Sequence, residues 1–357
     1  MRHRSRSFMR GGAVALALAL AATISIAGQT QSGAQSAAPA KAPVAKAAPA
    51  SAAAGKTYKA PRTPDGQPDL QGFWTNSTYV PLQRPNGVTK EIYTPEEAEA
   101  AIKAAAAREA EQTEPGTTAD VHYDFTQFGL DRSQSTFARN MRTSLIVDPP
   151  DGKIPPVNAA GQKRQQERAA ARKAAGGQYD NVENMPIGSR CIIMGGAGPP
   201  MMNAGYNANY QIVQAPGYVM ILTEMIHDVR IIPLDGRAQQ PSGVKQWVGL
   251  SRGRWEGETL VVETTNFNGK NAFQGSSENL KVTERFTRTA DDSISYRFTV
   301  EDPQTWDRPW TAEAPLAKTD GPIFEFACHE TNYGIANILA GARADEKKAA
   351  EQKKGSN

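Results

Sequence analysis

Glu224-Met225-Ile226-His227-Asp228-Val229-Arg230 sets two carboxylates, an imidazole and a guanidinium within seven residues of an otherwise apolar stretch. An imidazole exchanges its proton near neutral pH, a carboxylate can orient it, and a guanidinium can hold a developing anion. The stretch therefore has the parts for acid–base chemistry. His227 would be the proton carrier, Asp228 or Glu224 its orienting partner, and Arg230 or Arg254 the anion stabiliser. Uninterrupted alternation puts His227 on one face with Val219, Ile221, Met225, Val229 and Ile231, and Glu224, Asp228 and Arg230 on the other. An imidazole in such an apolar lining carries protons where a cavity reaches it and is a hydrogen-bonded core residue where none does; both readings stay open.

A second set suits ligand contact. Tyr206, Asn209, Tyr210, Trp255 and Tyr333 are aromatic and amide side chains at turns and strand ends, of the kind that line the mouth of a carbohydrate or aromatic-ligand site and equally pack loops. His329 joins them, because an enzyme site would need His227, His329 and an arginine in one open cavity. Behind the N-terminal leader the histidines are His122, His227 and His329, with no H-x-x-x-H spacing, so no metal and no cofactor is expected. Gly249-Leu250-Ser251-Arg252-Gly253 matches G-x-S-x-G, but a nucleophile elbow needs a helix after the serine, and here a turn and then a strand are predicted. Gly195-Gly196-Ala197-Gly198-Pro199-Pro200 lacks the Lys-Ser/Thr of a phosphate loop and reads as plain loop.

The elements that must position these residues are mostly strands. In Ser293–Glu301 every even position is apolar and every odd one polar, which describes a strand dry on one face and wet on the other. Tyr210–Gln214 and a long or kinked strand pair over Tyr218–Leu234 precede it. Lys245–Leu250 is expected to pair with Thr259–Phe267 across an Arg252–Glu258 turn, Val282–Thr289 with Ser293–Val300, and Trp310–Ala314 with Ile323–His329. Eight or nine antiparallel strands in sequence favour a meander that closes or nearly closes, because closure removes exposed edges. Gln71–Thr75 reads as an opening strand and Arg142–Asp148 as a short one. A helix starts at the capping box Thr94-Pro95-Glu96-Glu97 and runs to about Gln112, a second spans Gln162–Ala175, and a third about Ile335–Glu351. The basic residues of the second, Lys163, Arg164, Arg168, Arg172 and Lys173, are read as a solvated face.

Residues 1–27 read as a secretory signal, with Arg2, Arg4, Arg6 and Arg10 before an apolar run. Residues 28–57 are an Ala- and Pro-rich linker expected to be disordered. Residues 58–209 then form a helix-decorated N-terminal part, 210–334 the β block, and 335–357 the terminal helix and polar tail. Losing the four leader arginines takes the 40 basic residues to 36 against 37 acidic, so the mature chain is near neutral and gives no support for nucleic-acid binding. Stable membrane insertion is not expected after leader cleavage, and the location is periplasmic or secreted. In such an oxidising compartment the two cysteines, Cys191 and Cys328, are read first as a disulfide, with two buried thiols or a reactive cysteine as alternatives.

Several stretches also resemble a known group: Arg62-Thr63-Pro64-Asp65-Gly66 with Pro68-Asp69-Leu70-Gln71-Gly72-Phe73-Trp74, then Arg142 to Gly152, Tyr210 to Gly217, Glu224 to Gly236, Ser251 to Thr264 and Cys328 to Gly334. They are similar to a group of uncharacterised secreted proteins from soil and water bacteria, over nearly all of the mature chain. That resemblance transfers no catalytic residue. Gly72-Phe73-Trp74, the meander and the terminal helix resemble lipocalin-type barrels, from which the two-helix insert between Thr75 and Tyr210 departs. The expectation is a mainly β (α+β) protein: an antiparallel up-and-down barrel or sandwich, lipocalin-like, with peripheral helices. It is expected to bind a small, largely apolar or aromatic molecule in the barrel cavity. The alternatives are an acid–base enzyme (isomerase, lyase or hydrolase) using His227 in that cavity, and a structural envelope-associated protein.

Overall fold

The structure is a computed structural model and describes residues 58–111, 138, 140–194, 198–203, 207–330 and 332–355. The leader and linker assigned above lie outside the described residues, as do Tyr206 and His122. Ten strands form one sheet: β1 (Gly72–Thr75), β2 (Ile146–Asp148), β3 (Asn209–Ala215), β4 (Tyr218–Thr223), β5 (Val229–Pro233), β6 (Leu250–Glu256), β7 (Thr259–Thr265), β8 (Lys281–Ala290), β9 (Ser293–Glu301) and β10 (Trp310–Lys318). Three helices accompany them: α1 (Pro95–Glu111), α2 (Ala159–Ala174) and α3 (Tyr333–Gly355).

The strands run in the order β5-β4-β3-β1-β10-β9-β8-β7-β6, with β2 also on β10, and every pairing is antiparallel. This is a nearly closed barrel. Two meanders, β3 to β5 and β6 to β10, are joined by the N-terminal β1, so the topology is not a plain up-and-down one. At the seam between β5 and β6 side chains take over from the ladder. Gly253 is essential to their approach: a Cβ there would lie 2.6 Å from Leu234 Cδ2 and 2.8 Å from Ile232 Cγ2.

The even positions of β7 to β10 point inward, as the alternation predicts. Leu260, Val262, Val282, Phe286, Ile294, Tyr296, Phe298, Val300, Trp310, Ala312 and Leu316 are all buried. Rings run through this core in contact: Phe286 to Tyr296 at 4.9 Å, Tyr296 to Phe298 at 5.6 Å, Phe298 to Trp310 at 6.0 Å, and Trp310 to Trp306 at 6.0 Å between centroids. Glu263 and Arg285, at odd positions of β7 and β8, face out and pair with the outward even positions of β6 as Arg254–Glu263 and Arg285–Glu256, each at 2.8 Å.

Two strand assignments need correction. The turn between β6 and β7 is confined to Gly257-Glu258, and Arg252–Glu256 belongs to the strand. Ile323–His329 is not a strand: β10 pairs with β9, β1 and β2, and the chain beyond it crosses the barrel as an irregular strap. The ladder positions of β10 are taken by β9, β1 and β2, so Ile323–His329 does not add to the sheet.

The helices follow their signals. Thr94 and Glu97 form the reciprocal capping box, Glu97 N–H to Thr94 Oγ1 at 3.3 Å and Thr94 N–H to Glu97 Oε2 at 2.8 Å. Asn158 caps α2 by accepting from Gly161 N–H at 3.0 Å. One face of α2 is not simply solvated. Arg164 and Arg168, one turn apart, donate to the carbonyls of Gln304, Gly275, Ser276 and Gly269, so the helix closes one end of the barrel over loops whose carbonyls have no ladder. Beneath it the buried Asp302 accepts from Ser277 N–H at 2.6 Å and Ser277 Oγ at 2.9 Å. By the ladder directions, this end also holds the start of β3 and the β4–β5 turn; it is the upper end below. Cys191 and Cys328 are joined as a disulfide that ties the strap to the loop before β3. No described helix is long and apolar enough to cross a membrane.

Candidate functional site

The turn between β4 and β5 decides which side chains enter the barrel. Met225–His227 forms a single 3-10 turn in which Ile226 (φ 63°) and His227 (φ 47°) both lie in the left-handed region. That conformation is costly for a β-branched residue. It reverses the phase of the alternation. Val219, Ile221 and Thr223 of β4 are buried inside, yet on β5 it is Arg230 and Ile232 that are buried, while Val229 and Ile231 are 45% and 63% exposed. The expected inward face of Val229 and Ile231 is therefore outward, His227 is exposed at the turn, and Arg230 sits in the core.

Inside the barrel Arg230 meets Glu284 of β8 in a two-pronged ion pair, Nη1 to Oε1 at 3.1 Å and Nη2 to Oε2. Its Nη2 also reaches Ser251 Oγ at 3.3 Å, and Ser251 bonds Thr264 Oγ1 at 2.9 Å across β6 and β7. The guanidinium thus spans the seam. Tyr296 donates to Glu284 Oε1 at 2.8 Å, and Asn76 Nδ2 donates to Tyr210 Oη at 3.1 Å. All these side chains are buried. Burial is the main reason that the phenol pKa values of Tyr210 and Tyr296 are pushed above the ordinary range. Burial works against the charged form of Arg230 too, but Glu284 outweighs it and the guanidinium pKa is raised.

A segment that belongs to no strand or helix closes over this cluster. Pro199, Pro200 and Met201 are buried, Met201 N–H donates to Tyr296 Oη at 2.8 Å, and Tyr210 Oη donates to Met202 O at 3.4 Å. Asn203 Nδ2 donates to Thr78 O at 2.9 Å. Several buried polar atoms of the same region have no protein partner among the described residues: Arg230 Nε, Asn76 Oδ1, Trp306 Nε1 and Trp310 Nε1. Buried hydrogen-bonding atoms are nearly always satisfied, so such a group within one core is unusual.

The turn itself makes a second polar group near the barrel surface. The buried Glu224 accepts from Asn209 Nδ2 at 2.6 Å and from Phe324 N–H of the strap at 3.1 Å. His227 Nδ1 donates to Phe326 O at 3.0 Å, which leaves Nε2 of the neutral ring as the acceptor. Asp228 is partly buried, and its pKa is raised by desolvation, with His227, the Val229 N–H and Arg230 acting in the opposite direction.

The residues singled out from sequence therefore divide. Arg230 and Tyr210 enter the barrel interior; Glu224, Asn209, His227 and Asp228 gather at the turn; Trp255 is half-buried toward the other barrel end, beside the β6–β7 turn. Arg254 lies on the outer face, paired with Glu256 and Glu263, because only odd-numbered β6 side chains point inward. His329 is exposed and Tyr333 is 73% exposed at the start of α3. His227 thus does not share the interior with Arg230. Ser251 lies in a strand, points inward and bonds Thr264, so G-x-S-x-G makes no elbow here.

Glu284, Tyr296, Asn76 and Met201 were not found from sequence. Glu284 had a signal: it stands in phase with Val282 and Phe286, a carboxylate in the dry register of a clean strand. Among the described residues no three His, Cys, Asp or Glu side chains gather as a metal-ligand set. Comparison with known proteins adds no relationship: no family model matches the chain, and no curated protein matches it.

Proposed function

We propose that this protein binds a small, largely apolar or aromatic molecule in the upper half of its barrel, with the ligand's polar group held by the Arg230, Tyr296 and Tyr210 cluster. The carrying observation is the group of buried atoms without a partner among the described residues, Arg230 Nε, Asn76 Oδ1 and the indole N–H groups of Trp306 and Trp310, in an interior otherwise built of apolar and aromatic side chains. Apolar and aromatic walls with a few convergent polar groups are the usual composition of a small-molecule site. The leader-like N-terminus and the Cys191–Cys328 disulfide support a periplasmic or secreted protein. The resemblance to secreted bacterial proteins supports the same location, and the barrel form supports a lipocalin-like mode of binding.

The test is native mass spectrometry of the protein purified from its own host, repeated on Arg230→Met/Glu284→Leu. A co-purifying molecule that is released on denaturation and lost in the double variant is the expected result. An empty wild-type interior that also takes up nothing from a host extract would refute the reading.

One observation favours a second reading, acid–base catalysis at the turn: a strained backbone holds His227 exposed, with Nδ1 fixed on Phe326 O and Nε2 free to exchange a proton. On that reading a ligand bound by wild type is chemically altered over time and His227→Gln leaves it unchanged. No change by either protein removes it.

A further inference from the structure

We propose that Arg84 anchors a second site, apart from the barrel cluster, that takes a phosphate group between its guanidinium and Lys153. The site goes beyond the binding function proposed above and shares no residue with it. Two arginines are buried among the described residues, Arg230 and Arg84. Arg230 is neutralised by Glu284, whereas Arg84, only 6% exposed, forms no ion pair among the described residues. A buried charge is costly unless it is paired, so an arginine sunk in this way without a carboxylate points to an anion supplied from outside. Its Nε donates to Thr143 Oγ1 at 3.0 Å, but the two Nη groups have no acceptor among the described residues. Neither Nη atom is sealed from solvent, so an incoming anion can reach the fork.

The surrounding chain holds that fork in place. Pro81 O and Leu82 O accept from Leu145 N–H at 2.9 Å and Ile146 N–H at 3.1 Å, and Arg84 N–H donates to Gly152 O at 2.9 Å, which fixes the arginine against the chain around β2. Thr143 Oγ1 gives its own proton to Lys90 O at 2.8 Å and so presents a lone pair to Nε. Gly152 (φ 70°) lies against the side chain: a Cβ there would stand 3.1 Å from Arg84 Nε and 2.5 Å from Ser144 Oγ, so a larger residue would crowd the guanidinium. Lys153 follows directly. Its Nζ donates to Arg84 O and to Asn86 Oδ1, the latter at 3.2 Å, and forms no ion pair among the described residues. A second unpaired cation thus stands within an arginine's length of the fork. The neighbouring carboxylates are engaged elsewhere, Glu97 by Lys90, Glu91 by Arg142 and Asp148 by Arg308, while Asp151 accepts from Lys153 N–H at 3.0 Å and pairs with neither cation. Two unpaired cations suit a phosphate, which carries about −1.5 to −2 at neutral pH, better than the single charge of a carboxylate. The N–H groups left on the guanidinium and the ammonium suffice for its oxygens.

The test is calorimetric titration of the full-length protein with inorganic phosphate, phenyl phosphate and benzoate at fixed ionic strength. Phosphate and phenyl phosphate are expected to bind wild type more tightly than benzoate does. Both should lose about tenfold or more in affinity in Arg84→Met, and several-fold in Lys153→Gln. Phenyl phosphate bound more tightly than phosphate identifies an organic phosphate ester as the ligand, and otherwise free phosphate is the ligand; either result supports the site. Should Arg84→Met fail to fold, wild type alone decides. The backbone amide NMR signals of Gly152 and Lys153 should then shift on adding phosphate and stay in place with chloride at the same ionic strength. Phosphate that neither binds nor moves those signals means that water alone solvates the fork, and overturns the proposal. Phosphate binding unchanged in Arg84→Met or in Lys153→Gln overturns it too, as does benzoate bound as tightly as phenyl phosphate. Because the site shares no residue with the barrel cluster, each of these failures leaves the binding function standing.

Discussion

Replacing Glu284 by Gln is the sharpest probe of the barrel interior. The side chain is fully buried and accepts from both Arg230 Nη groups and from Tyr296 Oη. Glutamine keeps the shape but loses the charge, and one of its two terminal atoms becomes a donor facing donors. Removing one partner of a buried ion pair costs about 3–5 kcal/mol, because the other charge stays behind in a dry environment. A lost charge-assisted hydrogen bond of about 1.5–3 kcal/mol, with the unpaired desolvated guanidinium added, reaches the same range. Arg230→Met/Glu284→Leu removes both charges and should fall within about 2 kcal/mol of wild type, or be more stable. Equilibrium urea unfolding of the disulfide-intact protein reads this directly. At a slope of about 3 kcal/mol per M, the single variant's midpoint falls by about 1 M or more at unchanged slope. A Glu284→Gln protein within about 1 kcal/mol of wild type would mean that the carboxylate is hydrated and would refute the argument. So would a double variant less stable than Glu284→Gln.

Four further outcomes are expected. Tyr210 and Tyr296 keep their protons in the folded protein above the pH near 10 at which unfolded tyrosine ionises; the unfolded state then binds fewer protons, and stability falls above pH 10 by about 2.7 kcal/mol per pH unit for the pair. Urea midpoints measured from neutral pH to above pH 10 should show this loss, reduced by about half in Tyr296→Phe. Asp228 has a raised pKa, so the folded state binds more protons between the unfolded value near 3.9 and the folded one, and stability falls as pH rises through that window. Asp228→Asn should therefore be more stable than wild type at neutral pH and lose that advantage below about pH 4, by the same measurement. Cys191→Ser/Cys328→Ser opens a 137-residue loop and should cost about 5 kcal/mol on the chain-entropy model, measured by thermal and urea unfolding. Gly253→Ala drives a methyl group into Leu234 and Ile232 and should cost about 1–3 kcal/mol, part of which Leu234→Ala should return in a double-variant unfolding comparison.

Much of the barrel was legible in the sequence because a strand wet on one face has a two-residue period that local side chains reveal. Ser293–Glu301 is the clearest case, and its inward set of Ile294, Tyr296, Phe298 and Val300 is buried as the alternation requires. The start of α1 was legible for the same local reason, since the Thr94–Glu97 box is made within three residues, whereas α2 begins at Ala159, ahead of the expected Gln162, on an Asn158 cap not anticipated from sequence. The period misled where the backbone left it. At Ile226 and His227 two successive left-handed residues shift the phase, and no residue type there announces such a conformation, since neither is glycine. Carrying the alternation across that turn placed His227 in the lining and Arg230 outside, the reverse of their positions.

The pairing of Trp310–Lys318 could not be read locally either. Gly72–Thr75 reaches it from more than 230 residues away in sequence, and ladder hydrogen bonds carry no record of their partner in either strand's composition. The same holds for the interior cluster. The sequence by itself determined the strand periods, the cap of the first helix and the cysteine pair, all properties of neighbouring residues or of composition. Only the tertiary structure decided that Arg230, Glu284, Tyr296, Tyr210 and Met201 meet. Their contact depends on closure of the sheet across the β5–β6 seam and on the phase change at one strained turn, and each is set by packing among segments far apart in the chain.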